Sequence, residues 1–228
     1  MYKTRDRSAA QLDEWRIYAA ERASVHEFLA SLTPAQWDAP SLCQGWRIRD
    51  VAVHLLVDEP VEQLGLPLAL LKAAWFRFSV DRINDWWIRR NHDRPTGSIV
   101  AAFDGPWQPG RISKLLGPRT AVRAMVIHHQ DMRRPLGMHR VVPQEPLRAT
   151  LDVILTARGS TNLGSFERSS GLRLQATDID WSRGDGPAVL GPAESILMAV
   201  SGRRDALDEL SGPGLPILAR RTQIPALD

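Results

Sequence analysis

GWRIRDVAVHL, Gly45 to Leu55, and HHQDMRRPLG, His128 to Gly137, decide how this chain is read. Each places a histidine inside an apolar, helix-periodic stretch. Histidine is a costly choice for a helical core unless it hydrogen-bonds or holds a metal. On a helix, His54 and Asp58 share a face, as do His128 and Asp131, whereas His129 points about 100° away. Two such helices, far apart in sequence, can bring His54 and His128 together inside a bundle, the way bundles assemble metal sites from facing helices. His54, His128 and one carboxylate make a two-histidine, one-carboxylate set. That set suits zinc or a related divalent ion and leaves a position for water or a thiolate. A metal held so acidifies a bound thiol or polarises a carbonyl. The alternative from spacing alone is a pair of core histidines satisfied by hydrogen bonds, with Asp131 paired to Arg133 or Arg134.

Working outward, a first helix is predicted from about Ser8 to Leu32. Leu12, Trp15, Ile17, Ala20, Ala23, Phe28 and Leu29 approximate its buried stripe, and Asp13, Glu14, Arg16, Glu21 and Arg22 can face water. Thr33–Pro34 starts a short helical turn. The second helix runs from Trp46 through His54 to about Glu59, where Pro60 marks a break. Leu66 to Arg90 reads as one long aromatic-rich helix serving as core or as a dimer face. A loop from Asn91 to Gly110 carries one turn at Ser98 to Phe103. Pro118 opens a helix through His128 towards Leu136, stopped by Gly137. A further helix is read at Leu147 to Arg158, and the stretch from Gly159 to Gly171 as a linker or loop. From Leu172 the pattern alternates as in a strand, a short strand AVLG follows, and helical segments are read at PAESILMAVSG and Arg203 to Leu210. The reading is therefore a helical domain, 1–158, followed by a small α+β domain, 159–228.

A chain of 228 residues that is 43% hydrophobic can bury a substantial core. The net charge of +3 does not describe a nucleic-acid surface, because acids are interspersed with the arginines and no basic stripe carries interleaved aromatics. Cys43 is the single cysteine, which excludes an intrachain disulfide and reads as a packing residue before Gly45–Trp46. No apolar signal-peptide core opens the sequence and no run is long enough to span a bilayer, so a cytoplasmic protein is expected.

The pattern GWRIRDVAVHL, followed much later by HHQDMRRPLG and by GLRLQATDIDW, GPAESILMAVSGR and LSGPG, resembles the mycothiol-dependent maleylpyruvate isomerase family along nearly the whole chain. The resemblance implies an α+β protein: a DinB-like four-helix bundle followed by a small C-terminal α+β domain. It implies His54 and His128 as metal ligands. The family's third ligand, a glutamate one turn before the second histidine, falls on Ala124, which cannot bind metal. Asp131 is the candidate substitute, ahead of Asp58. The chemistry implied is a zinc-dependent reaction in which mycothiol, as thiol cosubstrate, adds to a small unsaturated acid or is transferred. Arg203 is the candidate to hold a substrate carboxylate by a bidentate contact. A homodimer is expected from the aromatic third helix. The competing expectation, motivated by Ala124, is a metal-free binding or interaction protein on the same fold.

Overall fold

Alternation of apolar and polar residues at helical spacing governs the first part of the molecule, and helices α1 (Tyr2–Ala30), α3 (Ile48–Leu55), α6 (Val80–Arg90) and α9 (Pro118–Arg133) frame it. The computed structural model describes residues 2–77, 79–105, 107–156 and 164–222. These form two compact units, Met1–Arg140 and Val141–Asp228. The division thus falls before the helix α10 (Gln144–Ile154), not after it as a boundary at residue 158 had placed it.

In the first unit, α1 packs along α9 and against α7 (Thr96–Phe103), while α3 packs against α6, α7 and α9. Val122, Met125, Val126, His129 and Met132 give α9 its buried stripe at helical intervals. Gly117 precedes Pro118 at the helix start, and Gly137, left-handed at φ 64°, ends the following 3₁₀ turn, as the sequence predicts. On α1, Ile17, Phe28 and Leu29 are buried as expected, whereas Trp15 is half-buried and Ala20 and Ala23 are exposed.

Glu21 and Arg22 correct the expected water-facing side, because both are buried. Arg22 donates to the carbonyl oxygens of Ala102 and Phe103 at the end of α7. Glu21 receives both terminal nitrogens of Arg140, at 2.9 and 2.7 Å. Each charge is buried because a partner meets it.

The expected helix from Leu66 to Arg90 is instead two, α5 (Leu66–Trp75) and α6, separated at Arg77, which has φ 55°. A non-glycine residue in that region interrupts the helical hydrogen-bond ladder. None of the α5 side chains is buried: Leu71 is 66% and Trp75 80% exposed. The second helix also stops early, at Leu55, and Glu59 and Pro60 open the separate helix α4 (Glu59–Leu64).

In the second unit, a three-stranded sheet has β1 (Arg173–Ala176) at its centre. It is flanked antiparallel by β2 (Ser182–Arg183) and parallel by β3 (Ala188–Gly191). Leu174 pairs with Arg183 on one side and Val189 on the other. Helix α12 (Ala193–Val200) lays Ile196, Leu197 and Val200 into this unit's core. The sequence reading named β1, β3 and this helix, but not β2. It did not name the last helix, α13 (Leu215–Thr222). The predicted linker falls partly on residues 157–163, outside the described residues.

Candidate metal centre

Helix α3 begins where Asp50 folds back on the residue before the helix. Its carboxylate accepts the Arg47 backbone N–H at 2.9 Å and the Arg47 guanidinium at 3.0 and 3.1 Å. This acidic first turn suits the positive end of the helix dipole. Val51, Ala52 and Val53 are buried, and His54 follows in the last turn, half-buried. The ring of His54 meets that of His128 on α9 edge to face, with centroids 4.9 Å apart, and Trp46 lies 5.2 Å away on another side. The two histidines expected to meet from distant helices therefore do so.

Asp131 joins them. It is fully buried, one turn beyond His128, and its Oδ2 lies 2.8 Å from His128 Nδ1. Of the two arginines that the alternative reading offered it, Arg133 and Arg134, the first is engaged elsewhere. Arg133 turns instead to the other histidine of the pair, donating from Nε to His129 Nε2 at 2.8 Å and lying 4.5 Å above the Phe28 ring. His129 belongs to the α1–α9 packing and not to the site. Burial pushes it down to about 2, with Arg140 and Arg133 adding to the shift.

Burial likewise pushes the His54 imidazole down to about 3. The neighbouring His128 adds to this, while a hydrogen bond with Asn84 and the charge of Asp131 oppose it. A neutral imidazole is the form that offers a lone pair to a cation. Asp58, the weaker candidate, is committed elsewhere. Its carboxylate accepts the backbone N–H groups of Gly110, Ile112 and Ser113 and the Ser113 hydroxyl, capping α8 (Arg111–Leu116). Arg203 lies in the second unit, after α12, where its Nη1 donates to the Ser201 carbonyl at 2.7 Å.

The structure adds a residue that the sequence reading set aside. Cys43 Sγ donates to Asp131 Oδ2 at 3.2 Å and lies 3.6 Å from His128 Nδ1. Among the described residues, Cys43, His128 and Asp131 form a group whose ligand atoms all lie within 4.8 Å of one another. A tight loop sets the cysteine there. Ser41 N–H bonds to Trp46 O at 2.9 Å, Trp46 N–H to Cys43 O at 3.0 Å, and Cys43 N–H to Ser41 Oγ at 3.1 Å. Gly45 makes the reversal with φ 77°. Leu42 N–H then bonds to the backbone oxygen of Asp131 at 3.0 Å, tying the loop to α9. The one local sign of this was the position of the only cysteine, two residues before the motif that carries His54.

Sulfur, imidazole nitrogen and carboxylate oxygen are the donor types zinc takes, and the neutral His54 adds a second imidazole. The residues present fit a divalent ion of that kind even though Ala124 offers none of these donors.

A DinB-like helical bundle followed by a small α+β unit is the class this architecture defines. The family profile of the mycothiol maleylpyruvate isomerase N-terminal domain matches residues 18–62, which contain both Cys43 and His54. A crystal structure of a histidine-to-alanine mutant of the mycothiol-dependent maleylpyruvate isomerase shares the fold, with a TM-score of 0.58 at 14% identity. The match covers 89% of this chain and 92% of that one. No curated protein sequence matches the chain significantly. The profile match is confined to residues 18–62, and the structural likeness at 14% identity is one of fold.

Proposed function

We propose that this chain is a divalent-metal, thiol-dependent isomerase or transferase acting on a small molecule, with zinc as the metal and mycothiol as the thiol. The observation that carries the reading is the meeting of His54 and His128, from α3 and α9, with Asp131 bonded to the second ring. It is supported by the fold shared with a mycothiol-dependent isomerase. His54, His128 and Asp131 are the proposed ligands. A metal bound there would supply a Lewis acid that keeps a thiol in its thiolate form.

The chain's own residues do the rest. Asp131 fixes the orientation of the His128 ring and brings negative charge to the site, which a cation needs. Trp46 packs beside the His54 ring. Arg203 is the proposed carboxylate holder. It has a guanidinium neighbour, since Arg168 is lowered by burial and then by the Arg203 charge. A cytoplasmic setting belongs to the same proposal; among the described residues, no helix is long and apolar enough to cross a membrane. So does a homodimer through the exposed α5 face, an idea that light scattering would reject by returning a monomer across the working concentration range.

A metal-free binding protein is the second reading. Ala124 favours it, as does the His128–Asp131 bond, which satisfies His128 Nδ1 without a cation. Elemental analysis separates the two, on protein purified without chelators and supplemented with zinc. About one equivalent per chain, lost in His54→Ala and in His128→Ala, supports the enzyme. No retained metal in the parent, together with strong binding restored by Ala124→Glu, establishes the metal-free reading.

A further inference from the structure

We infer that Cys43 supplies the metal ligand that Ala124 cannot, so that the centre is a sulfur-containing one formed by Cys43, His128 and Asp131 with His54. The inference rests on the metal-centre reading above and concerns which residues make it.

Geometry carries it. Zinc holds imidazole nitrogen and carboxylate oxygen at about 2.0 Å and thiolate sulfur at about 2.3 Å. In a tetrahedron, these bonds separate nitrogen from oxygen by about 3.3 Å, and sulfur from either by about 3.5 Å. Sγ of Cys43 is 3.6 Å from His128 Nδ1 and 3.2 Å from Asp131 Oδ2, and the last two atoms are 2.8 Å apart. Three donors from two distant parts of the chain therefore already outline one face of a coordination tetrahedron, with the short nitrogen–oxygen edge held by a shared proton. A cation would take the place of that proton and of the thiol proton, both of which now point at the same carboxylate oxygen.

The arrangement is built and not incidental. Cys43 sits in a loop closed by its own hydrogen bonds and tied by Leu42 N–H to the backbone of Asp131. The sulfur and the carboxylate are therefore positioned by the same contact. The ligand lost from α9 at position 124 is thus replaced from the loop before α3. A thiolate donor also predicts a preference for zinc over hard cations such as magnesium.

Cobalt(II) added to the full-length chain tests this. In the parent protein, we expect a thiolate-to-cobalt charge-transfer absorption together with the visible bands of four-coordinate cobalt, saturating near one equivalent. Cys43→Ser should lose the charge-transfer absorption and bind zinc about 100-fold more weakly, the upper end of the losses seen when a metal's supporting groups are removed. Cys43→Ala guards against a fold effect, with far-ultraviolet circular dichroism confirming the native helices in both variants. As a second readout, zinc should protect the parent from iodoacetamide. Only one cysteine exists, so alkylation reports on this site alone. Cobalt bound without the charge-transfer absorption, or alkylation unchanged by zinc, overturns the role of Cys43 and leaves the histidine centre standing. Absence of any metal binding, in parent and Ala124→Glu alike, removes both.

Discussion

Arg140→Ala should destabilise the helical unit by about 3–5 kcal/mol, the range for stranding one charge of a buried ion pair. Glu21 on α1 is 3% exposed, and both oxygens of its carboxylate are taken by Arg140, at 2.9 and 2.7 Å. Arg140 also lies 2.7 Å from His129 Nδ1, while Arg133 holds Nε2. A neutral imidazole has a single acceptor nitrogen, so only one of those two arginine contacts is a full hydrogen bond. Losing the Arg140 side of it adds little, and the cost comes from Glu21. For a domain of this size the change corresponds to a fall in Tm of roughly 6–20 °C. Thermal and urea unfolding followed by circular dichroism would measure it. Glu21→Ala/Arg140→Ala should be less destabilised than the sum of the single variants by about 1–3 kcal/mol, because removing both partners leaves no stranded charge. A single-variant loss below about 1 kcal/mol, or strict additivity in the cycle, would refute the claim that Glu21 is buried because Arg140 meets it.

Burial pushes the folded His129 ring down to about 2 from the ordinary 6.5 of a histidine, so as pH falls the unfolded chain takes up its proton first. Its contribution is complete above about pH 6.5 and is lost as pH falls towards 2, at up to about 1.4 kcal/mol per pH unit. Stability measured against pH in His129→Gln should show a correspondingly shallower acid limb, and an unchanged slope would count against a neutral buried ring. Asp131→Asn keeps the volume but removes the charge facing His128 and Cys43, and zinc affinity by competition titration should fall about 10–100-fold. Asp58→Ala should cost about 2 kcal/mol, the upper end for a helix cap, because it strips the cap from α8. Zinc affinity should be unchanged in that variant, and a loss of it would return Asp58 to the ligand set.

Local pattern was enough for much of this protein. The buried stripe on α9, the Gly137 stop, the alternation in β1 and the meeting of His54 with His128 are all legible in sequence. Side-chain periodicity states which face a helix buries, and a histidine on such a face needs a partner. What periodicity does not state is which long-range partner makes a polar residue buriable. Glu21 and Arg22 look like surface charges until Arg140 and the carbonyls of α7 meet them. The helix from Leu66 to Arg90 looks continuous until Arg77 takes a positive φ. Cys43 is the clearest case. Nothing within its own segment distinguishes a packing cysteine from a ligand, because its neighbours in the site lie 85 and 88 residues further along the chain. The sequence by itself determined the two helices and the histidines they carry. The tertiary structure alone brought Cys43 beside His128 and Asp131, through one backbone hydrogen bond from Leu42 to Asp131 that no local propensity encodes.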